Sequence, residues 1–567
     1  MRHIIFFLFI FFSFDFSMAQ SIGLREQQIL EQRGELYFSF ELPKDHSIEN
    51  ITHIISIDRT NSSNRIFAYV NYKEFNKFLE LGINYQLEKE ASLLTNPQMA
   101  KTLSAFIQSW DTYPTYQQYD SLMHKLANDY PTLCRYHVIG TLSSGHQLLA
   151  LQLGDSVSKH EKEVRFFYTS SMHGNELTGY ILMLRFAEYL LSNYGQNALV
   201  DSLMNNVEIW INPLANPDGA YYLSDTSVFG SKRYNWNMVD LNRNFPDPED
   251  GNHPDGNSWQ PETQFFMGFA DSLHFSMSAN FHGGAEVLNY PWDTWSKLSA
   301  DDNWWRYVCH QYADTVQTHG WSGYFTGPPS ANGTGVTNGY AWYSISGGRQ
   351  DYMNYFQHCR EVTIELSNEF LPQASTLPNY WNAQYRSLLS FINQARFGLR
   401  GVVTDSVTNK PLAAKITILQ HDKDSSHIRS YLPYGDYYRL LDSGYYSIVF
   451  SAPYYYSKTI NGHRIQRDSI SILNVALVPD PFYSIKELPS LQFSLFPNPV
   501  SRQLHIAALS PIKSLKLYSI DGKLVRKYNL NGKKDYLIDV SEVGSGIYLI
   551  KLEDSNGDFG YKKLIIQ

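Results

Sequence analysis

The chain has very little cysteine: Cys134, Cys309 and Cys359 are the only three in 567 residues. One bridge at most can form among them, which excludes a disulfide framework even in an oxidising compartment. No two stand at the spacing of a zinc-binding cysteine pair, so a metal here has to be held by histidine and carboxylate. Long hydrophobic runs are also missing; the one near the start, residues 4–14, falls short of the ~20 residues of a membrane span. Basic charge is in deficit, with 46 Lys and Arg against 55 Asp and Glu, which leaves no footprint for nucleic acid. Aromatic residues, by contrast, make up 15 % of the chain, which argues against wholesale disorder.

What the chain does contain is ordered by position. A length of 567 residues is too great for one core and predicts several units. Residues 1–19 read as an export signal: Arg2 and His3 give a positive start, 4–14 an apolar segment and Ser17-Met18-Ala19 a small-residue cleavage site, so the mature chain is expected to begin at Gln20. Within 20–111, runs such as ELYFSFEL and RIFAYV beside a helical YKEFNKFLELG predict a small α+β domain, followed by a polar linker at 91–109. It is a pro-segment or a folding module, and no residue in it offers chemistry that chooses between them. Across 112–396, helical patterns alternate with apolar runs at 164–169, 207–214, 275–281 and 362–366. That predicts an α/β fold, a mixed central sheet with helices on both faces. Residues 397–480 and 493–567 turn to short alternating runs broken by Gly, Pro and Asp, the pattern of two small all-β sandwich domains.

The strongest pattern lies where the run 164–169 meets a helical one carrying Tyr180, Leu184, Ala187 and Leu191. His173-Gly174-Asn175-Glu176 stands at that junction. In an open α/β sheet such a turn lies outside the carboxyl ends of the strands, where ligands bind. An imidazole and a carboxylate three residues apart can hold a metal there, although chance alone often produces such a pair. The run 275–281 ends at His282-Gly283-Gly284 and adds a third arm. Two His and one Glu form an open catalytic zinc site, which leaves a fourth position for water. Glu365 stands in the apolar run VTIEL, where an unpaired carboxylate is costly, so it meets an Arg or serves as a base. After the run 207–214 come the turn Asn216-Pro217-Asp218-Gly219, then Arg233, then Asp240-Leu241-Asn242-Arg243. Arg243 with Asn242 offers a fork for a carboxylate, and Arg233 a fixed cation for a developing oxyanion.

Taken together and in order, HGNE, NPDG, DLNRNFPD, QPET, SANFHGG with NYPWD, TNGYAWYSISGGRQDYMNYF and EVTIELS resemble the zinc metallocarboxypeptidases, specifically the N/E-type branch that trims basic C-terminal residues. The resemblance covers about 112–395. It implies one zinc per chain on His173, Glu176 and His282, Glu365 as general base, Arg233 as oxyanion clamp and Asp240 as the residue that orients His173. It further implies that Asn242 and Arg243 grip the substrate's terminal carboxylate, that Tyr343 closes over it, and that Asp293 and Gln350 form the pocket for the terminal side chain. Asn175 follows the N/E branch. The departures are Arg349, where Met is usual, and Glu286 in the strand leaving His282; both bear on subsite preference. The β unit at 397–480 resembles the transthyretin-like domain that follows the catalytic domain in that branch. The last unit, opened by Phe496-Pro497-Asn498-Pro499, is similar to the sorting domains of type IX secretion cargo.

The function these readings imply is a secreted or cell-surface zinc carboxypeptidase, exported through the periplasm. Its partners are peptides or proteins with C-terminal Arg or Lys and the type IX secretion machinery. Two alternatives stand beside it: a carboxypeptidase-fold amidase acting on cell-wall or acidic peptides, and a non-catalytic binding module. The amidase would want a cation where Asp293 stands, and the binding module would be marked by loss of a metal ligand or of Glu365.

Overall fold

The computed structural model describes residues 22–60, 65–159, 161–480, 491–519, 522–555 and 558–567; the expected export signal lies outside them. Two compact units are formed, one of residues 1–452 with 457–477 and one of 453–456 with 478–567.

The first unit opens with a four-stranded sheet. β1 (Leu36–Glu41) lies between β3 (Arg65–Val70) and β4 (Tyr85–Leu87), and β2 (Ser56–Thr60) pairs with the far side of β3. Helix Tyr72–Glu80 covers it, started by a capping box in which Asn71 and Glu74 satisfy each other's backbone N–H. Phe38, Phe75 and Phe78 fill a small core of their own. The stretch 91–109 departs from the expected linker. It holds helices Ala91–Leu94 and Leu103–Ser109, the second capped by the Thr102 side chain and pinned by Phe106 stacking edge-on against Trp110 at 4.8 Å.

The central sheet has eight strands, β5 (Cys134–Thr141), β6 (Gln147–Leu153), β7 (Val164–Ser170), β8 (Val207–Asn212), β9 (Met277–His282), β10 (Ala285–Tyr290), β11 (Val336–Asn338) and β12 (Arg360–Ser367), in the order β11-β10-β12-β9-β7-β8-β6-β5. The middle four, β12, β9, β7 and β8, run parallel, while β10, β6 and β5 supply antiparallel pairings. Alternate residues serve opposite faces. Phe166, Tyr168, Ile209 and Ile364 join the larger core under helices Tyr116–Asp129, Thr178–Asn193, Asp302–His319 and Leu377–Gln394. Phe167 and Trp210 face the other way, toward helix Pro261–Leu273.

After β7 the chain crosses to β8 on one side, whereas β9 pairs on the other, so a crevice opens at the carboxyl ends of β7 and β9. Each cysteine is buried and free. A two-sheet β unit follows helix Leu377–Gln394 within the same compact unit. The second compact unit holds a three-stranded and a four-stranded antiparallel sheet around a core that includes Leu504, Leu515 and Ile550. Among the described residues, no helix is long and apolar enough to cross a membrane.

The start of β12 is tied to the β unit by a buried charge. Asp301 accepts from both terminal nitrogens of Arg439 at 2.9 Å and from Arg360 at 2.8 Å, and His421 Nε2 lies 2.9 Å away. Burial opposes ionisation, but Arg439 and Arg360 outweigh it and hold the Asp301 carboxyl far below the usual range. Asp301→Asn is therefore expected to cost about 3–5 kcal/mol in denaturant unfolding, because the buried Arg360 loses its counter-charge and Arg439 keeps only Asp422. A depressed carboxyl stabilises the fold above its unfolded value of about 3.9 and loses that contribution as pH falls. The difference between native and variant should hold steady from about pH 5 to 8 and shrink only below about pH 4.

Candidate metal centre and active site

The turn after β7 is built to bring backbone close to backbone. A Cβ at Gly174 would lie 2.4 Å from the Gly219 carbonyl carbon, so only glycine lets the His173 loop seat against the Asn216-Pro217-Asp218-Gly219 turn. Asn216 holds that turn, accepting from Gly219 N–H at 2.8 Å and donating to Met172 O at 3.2 Å. Lys232 N–H donates to Gly219 O at 2.8 Å, which fixes the approach of Arg233.

His282 and Glu365 come together through strand register. On β9 and β12, Ser278 pairs with Glu361, Asn280 with Thr363, and His282 with Glu365, all on the polar face opposite Phe281 and Ile364. The apolar run that carries Glu365 is thus a two-faced strand. Among the described residues no Arg hydrogen-bonds Glu365, and its buried Oε2 has no partner. Burial, then the Glu176 carboxylate, push its carboxyl well above the usual range, with Arg233 pulling the other way.

His173, Glu176 and His282 converge, each no more than 3 % exposed. His173 Nδ1 lies 2.8 Å from Glu176 Oε1, His282 Nδ1 lies 2.8 Å from Glu176 Oε2, and the two Nδ1 atoms are 3.1 Å apart. His173 Nε2 sits 2.9 Å from Asp240 Oδ1, so that nitrogen carries the proton and Nδ1 presents a lone pair. His282 Nε2 sits 2.8 Å from the Asn280 amide, whose oxygen otherwise has no partner. Turning that amide end for end gives Nε2–H its acceptor and leaves Nδ1 bare as well. Two imidazole lone pairs and a carboxylate then face one point, an arrangement that calls for a cation, and the nitrogen and oxygen donors suit zinc. Arg233 steadies the set, donating to Glu176 Oε1 at 3.3 Å and to Asp240 Oδ2 at 3.1 Å.

The same cleft is lined by Asn242, Arg243, Asn289, Asp293, Tyr343 and Glu365. Arg243 turns Nη1 to Asn242 O at 2.9 Å, and its buried Nε has no partner. Asp293 Oδ1 accepts from Gln350 at 3.0 Å and from Asn289 at 3.2 Å, while the amide oxygens of both are buried and unpartnered. Burial pushes the Asp293 carboxyl up to about 7, against the pull of Arg243. Arg349 turns away from the cleft and pairs with Glu361 at 3.1 Å, between the Phe167 and Phe266 rings. Glu286 accepts from Phe325 N–H at 3.4 Å. Sequence reasoning missed Asn280, legible only as a polar residue two before His282. It also missed Ile57 and Asp58 of β2, which line the cleft from the N-terminal sheet and gave no local signal. His282→Ala is expected to take the protein from one zinc per chain to well below one by elemental analysis, with the circular-dichroism spectrum retained; full zinc content in the variant would refute the ligand set.

Residues 119–387 match the zinc carboxypeptidase family, and residues 494–567 match a secretion system C-terminal sorting domain. Carboxypeptidase D of Homo sapiens is 37 % identical over 360 residues, which cover 60 % of this chain and 25 % of that protein. The carboxypeptidase N catalytic chain of Mus musculus is 33 % identical over 386 residues, 61 % of this chain and 82 % of its own length, and carboxypeptidase M of the same species is 32 % identical over 405 residues, 65 % and 89 %. The chain thus spans about a quarter of carboxypeptidase D and most of the other two. Among solved structures, carboxypeptidase A from Helicoverpa armigera aligns with a TM-score of 0.48 at 18 % identity, over 63 % of this chain and 97 % of that one. On this likeness to relatives matched over most of their length, the chain belongs to the zinc carboxypeptidase family.

Proposed function

We propose that the protein is a secreted zinc-dependent carboxypeptidase that removes C-terminal Arg or Lys from peptides or proteins. On this reading residues 112–396 are the catalytic domain, 397–480 a transthyretin-like support and 493–567 the sorting domain. The observation that carries it is a three-donor metal site beside Glu365 on the paired strand, whose buried Oε2 has no partner among the described residues.

His173, Glu176 and His282 would hold the metal, and bound zinc supplies Lewis acidity toward water and a carbonyl oxygen. Arg243 and Asn242 grip the substrate's terminal carboxylate through the guanidinium fork and the amide, and the unpartnered Arg243 Nε supports that role. Glu365, poised high by burial, takes the proton of the attacking water and returns it to the departing amine. Arg233 offers its N–H groups to the oxyanion. Asp240 keeps the His173 proton on Nε2 and Tyr343 covers the terminal residue.

Specificity for a cation is supported by the pocket's acceptors. Asp293 and the unpartnered oxygens of Gln350 and Asn289 can all receive hydrogen bonds, and a guanidinium supplies five donors in a plane. An amidase for acidic peptides would want a cation where Asp293 stands, and a binding module has no use for an unpartnered Glu365. Export is supported by the sorting-domain match, with passage through the periplasm to type IX machinery as the finer part of the proposal.

Glu365→Gln keeps the shape and loses the base, so turnover should fall roughly 10²–10⁴-fold with zinc retained; near-normal turnover would refute the role. Peptides ending in Arg, Lys, Phe and Glu test the pocket: Arg is expected to lead Lys, and Asp293→Ala should lower the Arg rate constant roughly 10²–10³-fold. Efficient removal of Phe by the native enzyme would overturn the pocket assignment. Deleting 493–567 is expected to leave active enzyme in the periplasm, measured by fractionating the culture.

A further inference from the structure

A second cavity backs onto the catalytic cleft. It measures about 440 Å³, within the range of about 300–1,000 Å³ of sites that admit small ligands, and its lining includes Glu49, Glu249, Asp250, Trp295, Tyr340 and Ser344. The two cavities share a wall whose alternate residues face opposite ways: Tyr343 and Ile345 line the cleft, Ser344 and Ser346 the second cavity. Asp293 and Thr294 divide in the same manner. Asp247 braces this wall from within, accepting from the Thr294 hydroxyl at 3.2 Å and from Gly347 N–H at 3.0 Å.

Carboxylates dominate the lining. Glu49, from helix Ile48–Thr52, accepts from Tyr340 at 3.0 Å, and Asp250 accepts from Ser346 with the His53 ring 3.9 Å away. Glu249 adds a third negative charge. The ammonium on the same wall, Lys297, is already answered, since its Nζ lies 2.5 Å from Asp424 Oδ1 and 3.6 Å from the centre of the Trp295 ring. Ser344 is only 6 % exposed, and its buried Oγ has no partner among the described residues. A hydroxyl kept dry and unpaired at a cavity wall marks a place where a polar group from outside completes the bond.

The spacing of the acceptors selects the ligand. Glu49, Glu249 and Asp250 do not bring three oxygens within 4.8 Å of one another, as the donors of the metal centre are brought, so they do not enclose a single ion. A cation that spreads its donors over a plane suits them: guanidinium carries five N–H groups in a rigid fork, whereas an ammonium is a compact point charge. The rings of Trp295 and Tyr340 give such a plane a surface to lie on. We propose that this cavity is a second cation site, which binds the guanidinium group of an arginine derivative outside the catalytic cleft. The site needs neither the metal nor a terminal carboxylate at Arg243, so it stands apart from the carboxypeptidase reading.

The test is titration calorimetry on the full chain with three probes: agmatine, which has a guanidinium and no carboxylate; butylamine, a point-charge cation; and an acetylated, amidated peptide with one internal arginine. Native protein is compared with a chain carrying Glu249→Gln and Asp250→Asn, both exposed positions, and with Asp293→Ala. Agmatine is expected to bind the native chain more tightly than butylamine does, and to lose affinity roughly 10–100-fold in the Glu249 and Asp250 double variant, with Tm unchanged and with binding kept in Asp293→Ala. Ser344→Ala should weaken agmatine roughly 2–10-fold, an effect that a hydroxyl with no ligand to meet would not give. Binding of the blocked peptide as well identifies a polypeptide side chain as the source, and agmatine alone a free small molecule; either upholds the site. No binding of agmatine or peptide at millimolar concentration, or equal affinity in the native chain and the double variant, would overturn it. Loss in Asp293→Ala alone would also overturn it, by assigning the binding to the catalytic pocket.

Discussion

Two imidazole lone pairs and a carboxylate held about 3 Å apart repel one another, and much of the polar structure of this protein exists to keep them there. Each donor is fixed from behind. Asp240 takes the His173 proton, the Asn280 amide answers His282, and Arg233 and the Gly283 N–H hold Glu176. Those supports are fixed in turn by strand register, by the Asn216 turn and by the close approach at Gly174. A preformed set of this kind spares a metal the work of ordering its ligands, which is why the outer partners matter nearly as much as the ligands.

Buried charge elsewhere is also paired, though not atom for atom, since Arg349 Nη1, Glu361 Oε1 and Arg439 Nε have no partner of their own among the described residues. Asp301 is saturated by Arg439, Arg360 and His421, and Glu361 is shared between Ser278 and Arg349. In the cleft, Glu365 Oε2, the Asn289 oxygen and Arg243 Nε are left without partners, as is the Gln350 oxygen beside Asp293. An unsatisfied buried polar group costs about 1–3 kcal/mol, so several in one cleft mark groups kept for something that arrives from outside. Asp58 lines that cleft from a distant part of the chain, and its neighbour Ser56 donates to Asp240 behind His173.

The sequence by itself determined the metal site, the fold class and most of the cleft. His173, Glu176, His282, Glu365 and Arg233 are legible because their chemistry is tied to strand ends and turns, which local patterns mark, and Asp240 through the family resemblance. It also marked Asp293 and Gln350 through the motif, and the structure places them 3.0 Å apart. Tertiary structure alone decided three further things. Glu365 is free of an Arg partner because register sets it beside His282, and register is a relation between strands about 80 residues apart in sequence that neither carries alone. Arg349 turns away from the pocket because Glu361 and two aromatic rings wait on the other face, a choice no local pattern encodes. Ile57 and Asp58 line the cleft because the N-terminal sheet packs against it, and they look like ordinary strand residues until the wall they touch has folded around them. Short-range periodicity fixes which face a residue takes on its own element; which distant surface meets that face depends on how the elements pack.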